Sequence, residues 1–230
     1  KFDITLSDEA DEIKCSATID ILLKKKDIRQ VRLDLINADK GKGMTVASVM
    51  QNGKKLSYTH LKNELIVTLP NPSQAGDYVQ FTVTYSGVPA TGLHIKPNKY
   101  NDRTFFSDNW PDLTRNWLPV VDHVAEKATC EFIVTAPIRY QVVCNGLLLE
   151  ETNLNATQKI THWKQSVPIS AWLYVLGVAE FAVQYVDTFN GKSDYGVYLY
   201  GEDPASVSDP TALATGNARN GSNFTASITV

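Results

Sequence analysis

Residues 105–146 read FFSDNWPDLTRNWLPVVDHVAEKATCEFIVTAPIRYQVVCNG. Within this stretch, positions 130–135 alternate around the apolar Phe132 and Val134, and Ala136-Pro137-Ile138 breaks the run. Positions 140–144 resume it before Asn145-Gly146 turns the chain. Period-two alternation bounded by proline and Asn-Gly predicts strands, read here as a β-hairpin. Ahead of it lie a polar aromatic turn (Asp108, Asn109, Trp110, Pro111), a basic-aromatic corner (Arg115, Trp117, Pro119) and an acid-to-base step (Asp122, His123, Lys127). These read as an irregular loop anchored on the strands.

Working toward the N-terminus, residues 13–23 place Cys15, Ala17, Ile19, Ile21 and Leu23 on one side of a period-two pattern, which predicts a strand with one buried face. Residues 31–36 put Val31, Leu33 and Leu35 together, and Lys40-Gly41-Lys42-Gly43 turns the chain. Residues 44–50 alternate less cleanly through Met44, Val46 and Met50, and Asn52-Gly53 is the strongest two-residue hairpin signal present. Runs at 56–60 and 65–69 flank a turn at Lys62-Asn63, and Pro70-Asn71-Pro72 stops the second because proline cannot continue a ladder. Residues 78–85 set Phe81, Val83 and Tyr85 against Gln80, Thr82 and Thr84. The pattern is a meander or sandwich of antiparallel strands.

Toward the C-terminus, residues 157–163 alternate, Pro168-Ile169-Ser170 breaks them, and 171–178 form the most apolar run, continuing through Phe181 and Val183. Such a run predicts one continuous strand buried on both faces or passing between two sheets. Residues 195–200 give the last alternation. Glu202-Asp203-Pro204 can open a short helix over 204–214, after which the sequence is turn-rich.

A chain of 230 residues with 43% hydrophobic and 20% charged residues can bury a sizeable core and is ordinary for a globular protein. A net charge of −3 gives no electrostatic case for nucleic acid. No span approaches the roughly 20 apolar residues of a transmembrane helix. Cys15, Cys130 and Cys144 lack metal-binding spacing. Buried free thiols are the reading taken for Cys130 and Cys144, with a cross-strand disulfide left open. Cysteine usage leaves the compartment undecided, and an extracytoplasmic setting is the working expectation.

The order Arg115-x-Trp117-Leu118-Pro119-x-x-Asp122-x-x-x-x-Lys127-Ala128-Thr129, a strand, Pro137 and Asn145-Gly146 resembles the N-terminal β-domain of the aminopeptidase N-like zinc metallopeptidases, some of them bacterial. Members read R-x-W/F-x-P-C-x-D-x-P-x-x-K-A-x, a strand, Pro and a Ser/Cys-Asn-Gly turn. Tyr85-Ser86-Gly87-Val88-Pro89-x-x-Gly92-Leu93 is similar to a further family link, and 174–181 to its strand ending in G-x-F. The resemblance implies an all-β, saddle-like, two-sheet antiparallel β-sandwich over residues 1–200. A short C-terminal helix or linker at 201–230 would lead toward a catalytic domain.

Relatives bind zinc with H-E-x-x-H on a helix, where two imidazoles one turn apart hold the metal and the glutamate activates water. They recognise the peptide amine with G-x-M-E-N. Neither motif occurs in these 230 residues, and His60, His94, His123 and His162 include no i, i+4 pair. The expectation is that this chain contains no catalytic residue and no metal ligand, zinc belonging to a downstream thermolysin-like domain. Alone, the chain is expected to be inactive.

By the same resemblance, one loop of this domain reaches the peptide. Aligning on Arg115 and Pro119 places Trp110 where relatives carry Gln or Glu, with Asp108 two residues earlier, so Asp108, Asn109 and Trp110 are the substrate-binding candidates. Two readings stand side by side: Trp110 offers a cation-π face or wall to the peptide and Asp108 a charge, or Asp108 caps a turn and Trp110 is buried. Arg115, Trp117, Pro119, Asp122 and Lys127 are read as structural, with Arg115 and Asp122 as an ion pair fixing the loop and Asp122 capping a helical turn at His123–Lys127. The rival reading is a self-standing carbohydrate- or protein-binding sandwich, using Tyr58, Tyr100, Tyr185, Tyr195 and Tyr198 as a platform.

Overall fold

A computed structural model describes residues 1–98, 100–189 and 192–198. In chain order the strands are β1 (Phe2–Thr5), β2 (Ile13–Leu23), β3 (Gln30–Asp34), β4 (Gly43–Gln51), β5 (Lys54–Lys55), β6 (Tyr58–Leu61), β7 (Glu64–Thr68), β8 (Asp77–Val88) and β9 (Leu93–Pro97). They continue as β10 (Arg103–Ser107), β11 (Lys127–Pro137), β12 (Gln141–Cys144), β13 (Leu147–Asn153), β14 (Gln158–Ser170), β15 (Leu176–Ala179), β16 (Ala182–Phe189) and β17 (Lys192–Tyr198). Two 3-10 turns, Thr114–Asn116 and Ala171–Leu173, are the helical elements among the described residues. The fold is all-β; the helix or linker expected over 201–230 lies outside the described residues.

An eight-stranded sheet runs β13-β14-β11-β1-β2-β8-β4-β5, and a four-stranded one runs β12-β15-β10-β9. A three-stranded sheet, β3-β7-β6, and the β16-β17 hairpin complete the described strands. The expected two-sheet arrangement therefore gains two small sheets. The pairing is also not wholly antiparallel, because β1 runs parallel to β11, with Phe2 opposite Phe132 and Ile4 opposite Val134.

Strand faces follow the sequence pattern because one face of each strand is buried. In β2, Ile13, Cys15 and Ala17 point into the core; in β8, Phe81, Val83 and Tyr85 do so. Asn52-Gly53 and Lys62-Asn63 turn with positive φ at both residues, which suits the twist of the hairpins they close. The imperfect alternation of β4 has a cause: its register against β8 shifts between Val46 and Ser48. That bulge reverses the side-chain phase, so Val49 rather than the expected Met50 is buried.

Three expectations are corrected here. First, β11 and β12 do not form a hairpin: β11 pairs with β14 and β1 in the large sheet, whereas β12 pairs with β15 in the four-stranded sheet. Asn145-Gly146 is the corner where the chain crosses back to β13. Gly146 has φ +91°, and a Cβ there would lie 2.0 Å from the Lys164 carbonyl oxygen, so only glycine fits. Second, Pro168 does not end β14. Cys130 faces Gln165 while Ala128 faces Ile169, and this irregularity absorbs the residue that cannot donate to a ladder. Third, the apolar run at 171–178 is not one strand: Ala171–Leu173 coils as a 3-10 turn before β15 begins.

The core joins the two larger sheets. Phe132 lies 5.4 Å from Phe2, 6.3 Å from a stacked Trp117 and 6.0 Å from an edge-on Tyr174. Trp163 of β14 donates its indole N–H to the Val142 carbonyl of β12 at 3.0 Å, which satisfies a polar group buried between layers.

Candidate functional site

The loop between β10 and β11 is held at both ends by polar contacts to buried groups. At its start, the Asp108 amide donates to the Gly92 carbonyl at 2.8 Å. Gly92 has φ +76°, and a Cβ there would meet the Leu113 carbonyl oxygen at 2.3 Å, so the β8–β9 link and the loop approach as closely as backbone can. Asn109 is buried, with its Nδ2 donating to the Tyr174 carbonyl at 2.6 Å and its Oδ1 accepting from the Trp117 indole at 2.9 Å. Both ends of the amide are used. Asn109 thus shapes the loop from inside, and the outward chemistry of the tripeptide belongs to its neighbours.

Trp110 is 60% exposed. Its ring stands edge-on to Trp172, with centroids 4.8 Å apart and planes at 77°, the arrangement in which a positive ring edge meets a negative face. Trp172 comes from the 3-10 turn after β14, which the sequence disguised as mid-strand. Asp108 is exposed, and its carboxylate has no protein partner among the described residues. Of the two sequence readings, the buried Trp110 and the capping Asp108 are not what the loop adopts.

The far end of the loop is sewn to β3. Asp34 and Val120 exchange backbone hydrogen bonds at 2.7 and 3.2 Å, and the buried Asp34 carboxylate accepts from the Asp122 amide at 3.0 Å. Asp122 in turn accepts from the Arg115 amide at 2.9 Å and from its guanidinium Nε at 3.3 Å. Arg115 returns a bond to the Asp122 carbonyl at 2.9 Å. The Asp122 side chain is 1% exposed. Burial pushes its carboxyl above the usual range, and the bonds from Arg115 work against that shift.

Asp122 therefore does not cap a helical turn at His123–Lys127. That segment is a single turn closed by the Glu126 amide on the His123 carbonyl, and Lys127 is an exposed residue opening β11. Trp117 and Pro119 are both buried, Trp117 completely. Sequence reading missed Asp34, Trp172 and Tyr174: their roles come from pairings across 62 residues and more, which no local pattern carries.

The four imidazoles are dispersed. His60 Nε2 bonds the Leu35 carbonyl at 2.9 Å, His162 pairs with Glu131 at 3.2 Å, His94 packs against Phe106 and His123 Nδ1 accepts from the Ala125 amide. Among the described residues no three His, Cys, Asp or Glu side chains converge as a metal site would require. The donor set of these residues does not fit zinc. The platform of the rival reading is also reduced, since the half-buried Tyr58 spends its hydroxyl on the Val46 carbonyl at 3.0 Å. Tyr185, Tyr195 and Tyr198 have side chains outside the described residues.

Compared with known proteins, residues 1–173 match the family model described as the peptidase M1 N-terminal domain. No curated protein matches in sequence. Among solved structures, the fold is similar to an M1 zinc metallopeptidase from Deinococcus radiodurans, with 22% identity over 91% of this chain and 48% of that chain and a TM-score of 0.73. It is similar to a structure described as a two-domain M1 zinc metallopeptidase mutant bound to L-tryptophan, with 22% identity over 94% of this chain and 50% of that one, TM-score 0.74. A third is yeast LTA4 hydrolase in complex with bestatin, with 20% identity over 80% and 28% of the two chains and a TM-score of 0.60. The chain spans about half the length of the first of these.

Proposed function

Because this chain belongs to the peptidase M1 N-terminal domain family, we propose that it is the non-catalytic N-terminal domain of a zinc metallo-aminopeptidase. In this reading residues 1–200 form the domain and 201–230 lead on to a thermolysin-like domain, which holds the zinc and hydrolyses N-terminal peptide bonds. When bound there, zinc would supply the activated water. This chain's own part is to brace that domain and to wall one side of the peptide cleft.

One observation supports the second role above the others: an exposed indole and an unpartnered carboxylate project from a loop whose base, Asn109, is fixed on both sides by buried groups. A carboxylate attracts the ammonium of a peptide N-terminus, and an indole face offers it a cation-π contact of about 0.5–2 kcal/mol. Rigid support matters because a contact made only at the correct geometry loses its value when the loop shifts.

In the full-length enzyme, Trp110→Ala should lower kcat/KM for peptides by roughly 3- to 30-fold, the range that such a contact implies. Asp108→Asn should act in the same direction, with the loss carried mainly by KM. Unchanged kcat/KM in both variants would remove the cleft role, and a full-length protein without zinc-dependent aminopeptidase activity would remove the whole reading.

A further inference from the structure

The large sheet has an end remote from the loop that presents Asp108 and Trp110. There Leu23 faces Asp77 across β2 and β8, and the Gln51 side-chain amide donates to the Gln80 carbonyl at 3.3 Å. The loop after β2, the loop before β8 and the β4–β5 turn at Asn52-Gly53 therefore form one tip. From Tyr78 to Val88, β8 runs about 33 Å away from that tip before leading toward Gly92.

The tip is basic and apolar at once. Lys24, Lys25 and Lys26 in the loop after β2, and Lys54 and Lys55 on β5, are all exposed, and none makes an ion pair among the described residues. Beside them Leu22 and Tyr78, direct partners across β2 and β8, are 49% and 74% exposed. Of the acids at this end, Asp20 accepts from the Gln80 side-chain amide at 2.8 Å and Asp77 from the Gln74 amide at 2.7 Å, which leaves Asp27. Lysine on an edge strand guards against unwanted pairing, and that accounts for β5. It does not account for three lysines in a loop or for a tyrosine left in water beside them. The loop is held in place: the buried Ser73 donates its hydroxyl to the Lys25 carbonyl at 2.8 Å, accepts from the Ile28 amide at 3.1 Å and takes the Asp27 amide on its carbonyl at 2.8 Å.

We propose that this tip docks on an anionic phospholipid bilayer, with Leu22 and the Tyr78 ring seated at the headgroup level and the five lysines against the lipid phosphates. The proposal goes beyond the functional reading above and does not require it. The chain as a whole carries a net charge of −3, but the field of a membrane surface fades within a Debye length, so the charge that meets the lipid is that of the tip. Tyrosine suits such an interface because its ring enters the apolar boundary while its hydroxyl stays in water. A nucleic acid would take the lysines yet give Leu22 no apolar cover. Docking here also leaves Asp108 and Trp110, at the other end of β8, open to peptide.

The test is cosedimentation of the full-length protein with vesicles of phosphatidylcholine alone and of phosphatidylcholine mixed equally with phosphatidylglycerol. The wild type should bind the mixed vesicles only, less tightly as salt is raised. Lys24→Glu, Lys25→Glu and Lys26→Glu together should lower the partition coefficient by about tenfold or more. Leu22→Ser with Tyr78→Ser should lower it by about threefold or more, through lost apolar burial. Lys14→Glu, Lys40→Glu and Lys42→Glu make the same charge change at the opposite ends of β2 and β4 and should stay within about twofold of wild type. All these side chains but none of the buried Trp117 and Trp163 are altered, so every variant should keep the near-ultraviolet signature of those indoles.

Absence of wild-type binding to the mixed vesicles at low salt would overturn the proposal, as would an equal loss in the variant at the opposite ends. Binding that falls with the lysines but is untouched by Leu22→Ser and Tyr78→Ser would leave a bare cationic patch and overturn the seating in a bilayer. Tighter retention on single-stranded DNA than on vesicles, lost in the lysine variant, would assign the tip to nucleic acid and overturn it too.

Discussion

The Tyr85 hydroxyl donates to the Trp117 carbonyl at 3.0 Å, tying the middle of the large sheet to the loop that presents Asp108 and Trp110. Both residues are buried, so the carbonyl cannot turn to water for a substitute donor. Tyr85→Phe keeps the ring and deletes the bond. It should cost about 1–2 kcal/mol, read as a lower urea midpoint at unchanged slope. A midpoint equal to wild type would show that the bond contributes nothing.

Arg115→Ala should cost more. It removes the guanidinium from a carboxylate that is 1% exposed, leaving the charged Asp122 side chain with the backbone amide of residue 115 as its donor. Breaking a buried pair on one side costs about 3–5 kcal/mol, and Arg115's own partial exposure places the expected loss near about 3 kcal/mol. The double variant Arg115→Ala with Asp122→Asn should recover part of it, because the residual penalty is that of an unpaired charge. Equal stability of the single and double variants in chemical unfolding would contradict this origin.

Burial lowers the pKa of His60 below its ordinary 6.5, with the Leu35 carbonyl opposing the shift. The sign follows from linkage: below 6.5 the unfolded chain takes up a proton that the folded chain resists, so stability is lost as pH falls from 6.5 through the folded value. His60→Gln, which can still donate to that carbonyl, should flatten the stability profile between pH 7 and 5. The check is urea unfolding at a series of pH values; an unaltered slope in the variant would assign the dependence to other groups.

The three cysteines are free and buried. Burial pushes the Cys15 and Cys130 thiols up to about 12 and raises Cys144 as well. Because the thiolate is the reactive form, alkylation of the native chain at pH 8 should be slower than for an exposed thiol by about a thousandfold. In denaturant all three should label rapidly. Recovery of a single thiol in non-reducing denaturant would instead reveal a disulfide, and peptide mapping that placed it between Cys130 and Cys144 would identify it as the cross-strand bond.

The faces of β2, β3, β7 and β8 and the turns at Asn52-Gly53 and Lys62-Asn63 were legible in the sequence, because period-two burial and positive-φ turn chemistry are properties of a few adjacent residues. So was the domain's family, through the ordered residues from Arg115 to Gly146. Partner choice was not legible. That Phe2 lies beside Phe132, that β11 and β12 enter different sheets, and that Trp172 meets Trp110 are contacts between distant residues. A strand pattern states which side is apolar, not which neighbour will cover it. The same limit governs Asp108-Asn109-Trp110. The sequence marked the tripeptide, but only the packing of Trp117 and Tyr174 around Asn109 decided that the amide turns inward and the indole outward, because burial is a property of the assembled chain.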